Sequence, residues 1–259
     1  MRQEMENKTV YYERKEDVGI ITLNRPEVLN AESLALGKDL QQALIVARAD
    51  REAKVIILRG EGRAFCAGAD IKAPPPKDVE EFRELMGALQ DAARQFINLG
   101  KPIIAAVQGY AVGGGCELAM NCDIRIAAEN AQFGFAEGRV GGIITNGGTQ
   151  LMPRLVGLGR ALELMFTTDF IDAQEALRIG LVNKVVLLED LEKATWEMAK
   201  KIARHYFSAA QIHRALVYTG MEASFETALV HELNAACANW ATGAREAGHE
   251  AWRQQKRKD

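Results

Sequence analysis

Two acidic residues sit in the glycine-richest part of this chain. Glu117 lies in Gly109-Tyr-Ala-Val-Gly113-Gly114-Gly115-Cys-Glu117-Leu-Ala-Met120, where a strand ends, three glycines turn the chain and a helix begins. Backbone N–H groups at a helix start lack an intrahelical acceptor and carry partial positive charge, which suits an anion or a developing oxyanion. Glu117 follows Gly114 by three residues, so a place in the first turn puts its carboxylate on the same side as that N–H. Glu137 lies in Phe133-Gly-Phe-Ala-Glu137-Gly138, ahead of Gly141-Gly142 and Gly147-Gly148-Thr-Gln150. In such apolar surroundings a carboxyl pKa rises and the group can carry a proton. A third segment, Arg63-Ala-Phe-Cys-Ala-Gly-Ala-Asp-Ile-Lys72, is a small-residue loop directly after an apolar strand. Small residues let a ligand lie against the backbone and let an N–H point into a pocket. Taken singly, each segment reads equally as a tight loop, a helix-dipole glutamate or a loop carboxylate. Together they offer two backbone donors for a polarised carbonyl and two carboxylates to move protons. That set suits enolate chemistry and needs no cofactor.

The elements that must position these groups alternate along the first two thirds of the chain. Val18–Leu23 reads as a strand ended by Asn24-Arg25-Pro26, and a helix follows from about Ala31 to Arg48 with Leu36, Leu40, Leu44 and Ile45 at helical spacing. Lys54–Leu58 is a second strand. Val79–Leu99 is an amphipathic helix, and Pro102–Val107 and Asp123–Ala127 are further strands. This βαβ alternation implies parallel sheet with helices packed outside it. The last strand-like run is Leu181–Leu187. From Leu191 the chain is helical, as Leu191–Phe207, Ala209–Tyr218, Ser224–Trp240 and Ala244–Gln255, with Lys256–Asp259 expected to be solvated. Residues 1–190 are therefore expected to form the core that carries the site, and 191–259 a helical region whose apolar load, including Phe225, Leu229, Leu233, Trp240 and Trp252, needs a partner surface.

Composition narrows the function classes. The 259 residues are 48% hydrophobic and 26% charged, with Lys+Arg 32 against Asp+Glu 35. A net charge of −3 gives no nucleic-acid or membrane-surface footprint. Cys66, Cys116, Cys122 and Cys237 form no CxxC pair, so reduced thiols in a cytoplasmic protein are expected. The polar N-terminal stretch shows no secretory signal, and the longest charge-free run, Pro102–Cys116, is too short to span a bilayer. His205, His213, His231 and His249 lack metal-ligand spacing. Gly60-Glu-Gly62-Arg-Ala-Phe65 and Gly157-Leu-Gly159-Arg-Ala-Leu162 both miss the third glycine of a dinucleotide fingerprint. Twelve of the 23 glycines fall between Gly109 and Gly159, which places the chemistry there.

The chain resembles the crotonase family, and within it enoyl-CoA hydratases. The resemblance runs through Ile21-Thr-Leu-Asn-Arg-Pro26, Asn30-Ala31, Ala64–Lys72, Ala131-Gln-Phe-Gly134, Gly147-Gly-Thr-Gln150 and Gly180-Leu-Val-Asn183. Its most specific stretch is Lys101–Met120. It implies a spiral of repeated ββα units with a C-terminal α-helical trimerisation region, and assembly as homotrimers or homohexamers. It implies an oxyanion hole from the backbone N–H of Ala69 and Gly114. It also implies a coenzyme A path along Ala67, Ala69, Asp70, Ile71 and Lys72, with Gly114 close to the thioester. Hydratases of the family carry two catalytic glutamates, and both positions are filled, by Glu117 and Glu137. The implied reaction is syn addition of water to a trans-2-enoyl-CoA, with no cofactor or metal beyond the coenzyme A of the substrate. Isomerisation, thioester hydrolysis and decarboxylation are the alternatives within the family, and a non-catalytic acyl-CoA binder is the alternative outside catalysis. Ala136 stands where proline is common, Phe135 where a polar residue is common, and Ile144-Thr-Asn-Gly-Gly-Thr149 replaces a Pro-Gly-x-Gly-Gly-Thr run. These departures bear on the acyl group, which a cyclic or branched enoyl-CoA would satisfy. Proline at position 114, near a helix start, is expected to remove the N–H with the fold intact.

Overall fold

The structure, a computed structural model, describes residues 2–255, and seventeen strands and α-helices lead up to residue 203. In chain order they are β1 (Arg2–Glu4), β2 (Val10–Lys15), β3 (Val18–Leu23), α1 (Leu34–Ala49), β4 (Val55–Gly60), α2 (Val79–Ile97), β5 (Ile103–Val107), β6 (Tyr110–Val112) and α3 (Gly114–Met120). After these come β7 (Ile124–Ala128), β8 (Gln132–Gly134), α4 (Gly148–Val156), α5 (Leu158–Thr167), β9 (Ile171–Asp172), α6 (Ala173–Arg178), β10 (Lys184–Val186) and α7 (Leu191–Ala203). The tail adds α8 (Phe207–Gly220), α9 (Phe225–Ala241) and α10 (Ala244–Gln255). Lys256–Asp259 and the side chain of Trp252 lie outside the described residues.

The main sheet has seven strands in the order β1-β2-β3-β4-β5-β7-β10. From β3 to β10 every pairing is parallel, as the alternation of strands and helices implies. β3 and β5 are buried along their whole length, the mark of a strand covered on both faces. The first two pairings are antiparallel. They belong to an N-terminal meander that charge had hidden: Val10, Tyr11 and Tyr12 are buried, while Glu13–Lys15 continue the strand outward. A second sheet of three short strands, β6-β8-β9, sets β6 parallel to β8. The core contains the fully buried Phe65, Phe96, Phe133 and Phe135. The chain is thus a mixed α/β fold with a C-terminal helical region, and it divides after Lys201, within α7.

Two boundaries matter for the site. α1 starts at Leu34, with the Ser33 hydroxyl accepting the Leu36 N–H, three residues later than helical spacing suggests. Ala31 and Glu32 are left extended ahead of it. α3 is only two turns long and wholly buried, entered through Gly113 at φ +58°.

Candidate active site

The extended pair Ala31–Glu32 comes from a turn held by one amide. Leu29 and Asn30 both adopt the left-handed region, at φ 57° and 56°. Asparagine tolerates that region better than most side-chain-bearing residues. The buried Asn30 side chain accepts the Arg25 N–H at 2.8 Å and donates to the Glu61 and Ala64 carbonyls at 2.9 Å. Glu32 then pairs with the following loop: its N–H donates to Gly68 O at 2.7 Å, and its carbonyl accepts the Asp70 N–H at 3.1 Å. On the other side of the loop, Cys66 bridges Ala111 of β6. Ala69 is therefore clamped between two elements while its own N–H is spent on neither. Among the described residues, the N–H groups of Ala69 and Gly114 enter no hydrogen bond. The loop brings them close, since a Cβ built on Gly68 would lie 3.5 Å from the Gly114 nitrogen.

Glu117, in α3, is 1% exposed. Its Oε1 accepts the N–H groups of Asn146 and Gly148, both at 2.7 Å. Both donors belong to the unusual Ile144–Thr149 run, which supplies backbone groups whatever its side chains. Burial pushes the Glu117 carboxyl up to about 7 against the pull of those N–H donors, and the charge of Glu137 adds to the rise. Glu137 opens a short 3₁₀ turn, Glu137–Val140. Its Oε2 is buried with no partner, and burial raises its pKa against nearby backbone donors. Its Oε1 lies 2.8 Å from where a Cβ of Gly113 would stand, so the left-handed Gly113 admits this carboxylate as well as the turn.

A third carboxyl, which sequence patterning did not single out, completes the cluster. Glu32 is buried, its Oε1 has no hydrogen-bond partner, and its Oε2 lies 1.8 Å from where a Cβ of Gly114 would stand. A charged residue directly ahead of a serine-capped helix reads as solvated. Only the pairing with Gly68 and Asp70 turns it inward. Proline at position 114 is consequently not a clean deletion of the N–H, because its ring carries a Cβ into space that Glu32 fills. This corrects the expectation drawn from helix-start position alone.

The loop residues Ala67, Ala69, Asp70, Ile71 and Lys72 line a cavity of about 470 Å³ together with Gly113 and Glu137. Gly114 and Glu117 follow Gly113 into the buried interior and do not line it. Asp70 is fixed by Arg25 at 2.8 Å; burial raises its pKa, but the Arg25 hydrogen bond and backbone donors outweigh that and hold the carboxyl below the usual range. Ile71 is 89% exposed at the rim. No three His, Cys, Asp or Glu side chains among the described residues are grouped so as to hold a metal ion. No described helix is long and apolar enough to cross a membrane.

The buried carboxyls make stability pH-dependent in a defined direction. Burial, with the charges of Glu117 and Glu137, raises Glu32 from 4.5 to about 8. A raised carboxyl contributes stability that is complete below its unfolded pKa and lost as pH rises through its folded value. At roughly 1.4 kcal/mol per pH unit, the loss across that window reaches roughly 4–5 kcal/mol for Glu32. Asp17, Asp50 and Asp70 have lowered values and act in the opposite sense, at more acidic pH. The urea midpoint is therefore expected to be lower at pH 8.5 than at pH 5.5, and Glu32→Gln to narrow the gap. An unchanged gap in that variant would show that Glu32 does not set it.

Comparison with known proteins places the family and the fold. Residues 13–257 match the family described as enoyl-CoA hydratase/isomerase. The chain is 41% identical over 232 residues to a short-chain-enoyl-CoA hydratase of Clostridium acetobutylicum, covering 89% of each chain. It is 39% identical over 232 residues to a crotonyl-CoA hydratase of Syntrophomonas wolfei, again covering 89% of each. The crystal structure of an enoyl-CoA hydratase from Bacillus anthracis superposes with a TM-score of 0.92 at 37% identity, covering 95% of this chain and 96% of that one.

Proposed function

The chain belongs to the enoyl-CoA hydratase/isomerase family, and from that premise we propose that it adds water reversibly and syn across the double bond of a trans-2-enoyl-CoA, giving the 3-hydroxyacyl-CoA. The buried Glu117 and the half-buried Glu137 at the Gly113–Gly114 turn, beside two unspent N–H groups, support this reaction above all. The thioester oxygen accepts from Ala69 N–H and Gly114 N–H, which draws electrons from the conjugated double bond and leaves Cβ open to attack. Glu117, ionised and oriented by Asn146 and Gly148, takes a proton from the water that attacks Cβ. Glu137, as the acid, gives its proton to Cα of the enolate. The pair then holds the same number of protons as before, and either residue is restored by proton exchange. With burial holding Glu117 near 7, the group gains and loses a proton readily close to neutrality. Each N–H is worth on the order of 10²–10³-fold in rate and each proton carrier about 10²–10⁴-fold.

Coenzyme A lies along Ala67–Lys72 in this proposal and is part of the substrate, so no further cofactor is invoked. Ala136, which lines the cavity beside Glu137, shapes the acyl end in this proposal. A panel of straight, branched and cyclic enoyl-CoA thioesters, followed by loss of absorbance at the conjugated thioester band, tests the reaction and ranks the acyl groups. Turnover of at least one is expected, and none across the panel would refute the hydratase reading.

We also propose that the chain assembles as a trimer or hexamer through its C-terminal helical region. In the isolated chain Phe225 is 75%, Leu233 64% and Trp240 63% exposed, an apolar display that association would bury at about 25 cal/mol per Å². Light scattering at micromolar concentration should give three or six times the chain mass of 28.5 kDa. An active species at the single-chain mass would contradict it. Cytoplasmic placement is part of the same proposal and is supported by Cys66, Cys116, Cys122 and Cys237, which form no disulfide and of which the first three are buried.

A further inference from the structure

The reaction above leaves Glu32 idle, yet this residue touches both halves of the oxyanion hole. Its backbone N–H and carbonyl bond the residues on either side of Ala69, at Gly68 O and Asp70 N–H. Its carboxyl lies over Gly114: with a Cα–Cβ bond of about 1.5 Å, an oxygen 1.8 Å from the built Cβ is within about 3.3 Å of the Gly114 α-carbon. A carboxylate here would oppose the negative charge that hydration develops on the thioester oxygen. It would also face Glu117 and Glu137, which repel it. The other charged pair nearby, Arg25 with Asp70, neutralises itself, and burial keeps the adjacent Cys66 thiol protonated. A neutral carboxylic acid at the same place has a proton to donate instead. Glu117 Oε1 is satisfied by two N–H groups, whereas the buried Glu32 Oε1 has no partner within the protein.

We propose that Glu32, as the neutral acid, is a third donor of the oxyanion hole, its O–H directed at the thioester oxygen beside the N–H groups of Ala69 and Gly114. No bond is made or broken at Glu32; its hydrogen bond strengthens as the enolate forms and weakens as the product leaves. Burial with two neighbouring carboxyls raises its pKa to about 8, so the acid predominates at neutral pH and is lost above it. Catalysis then declines on the alkaline side for a reason separate from the two proton carriers.

This inference rests on the hydratase reading. The experiment measures kcat/KM for crotonyl-CoA from pH 5.5 to pH 10 in the wild type, Glu32→Gln and Glu32→Leu. It is paired with the absorption spectrum of bound dimethylaminocinnamoyl-CoA, whose red shift reports carbonyl polarisation. Wild type should lose activity above about pH 8. Glu32→Gln, which keeps a neutral donor, should move that alkaline limb, the fall that remains being set by the acid Glu137, and stay within about tenfold of wild type at pH 7. Glu32→Leu should fall about 10²-fold and show a smaller red shift. An alkaline limb unmoved in Glu32→Gln, or an undiminished red shift in Glu32→Leu, would overturn the proposal. A wild type that hydrates no enoyl-CoA would refute the hydratase reading instead, and the red shift would still decide whether Glu32 donates.

Discussion

Replacing Glu117 or Glu137 with glutamine should lower kcat by at least about 10²-fold while acyl-CoA binding stays within a few-fold. The amide keeps the size and much of the hydrogen bonding of the carboxyl but neither takes nor gives the proton. At position 117 the two N–H donors from Asn146 and Gly148 still find an amide oxygen, so the site should keep its shape. At position 137 the buried Oε2 has no protein partner to lose. Neither change disturbs the Ala67–Lys72 loop, which is why binding is spared. The measurement is steady-state hydration beside equilibrium binding of a saturated acyl-CoA. Full turnover in either variant would remove that residue from the mechanism.

Gly114→Ala should lower activity by about 10²–10³-fold and cost about 1–3 kcal/mol of stability. The added methyl would stand 1.8 Å from Glu32 Oε2, far inside contact distance. Glu32 is itself paired to the Ala67–Lys72 loop at Gly68 and Asp70, so relief of the clash displaces the Ala69 N–H as well as the carboxyl. Glu32→Ala in the same chain opens room for the methyl, and the double variant should recover most of the lost stability. Urea denaturation of the two single variants and the double variant gives the coupling directly. Simple additivity of the two changes would show that the residues do not share the space.

Legibility followed sequence distance. The Gly109–Met120 run holds the strand end, the turn, Gly114 and Glu117 in one stretch, so local rules place a carboxylate beside a free N–H. Ala64–Lys72 was legible for the same reason. Glu32 was not, because its orientation depends on a left-handed Asn30 and on pairing with Gly68, both tertiary facts. The donors on Glu117 were hidden too: they are backbone groups of Asn146 and Gly148, to which side-chain patterns are blind. Among the elements, the apolar strands β3, β4 and β5 announced themselves by composition. The N-terminal meander and the small β6-β8-β9 sheet did not, being short or half charged.

The central claim is that this site adds water to carbon. Incubation with crotonyl-CoA in H₂¹⁸O, followed by mass spectrometry of the product, tests it most directly. Label carried on Cβ of a 3-hydroxybutyryl-CoA is the result expected from Glu117-activated water. Label in a free carboxylic acid, or a rearranged enoyl-CoA with no label, would contradict it.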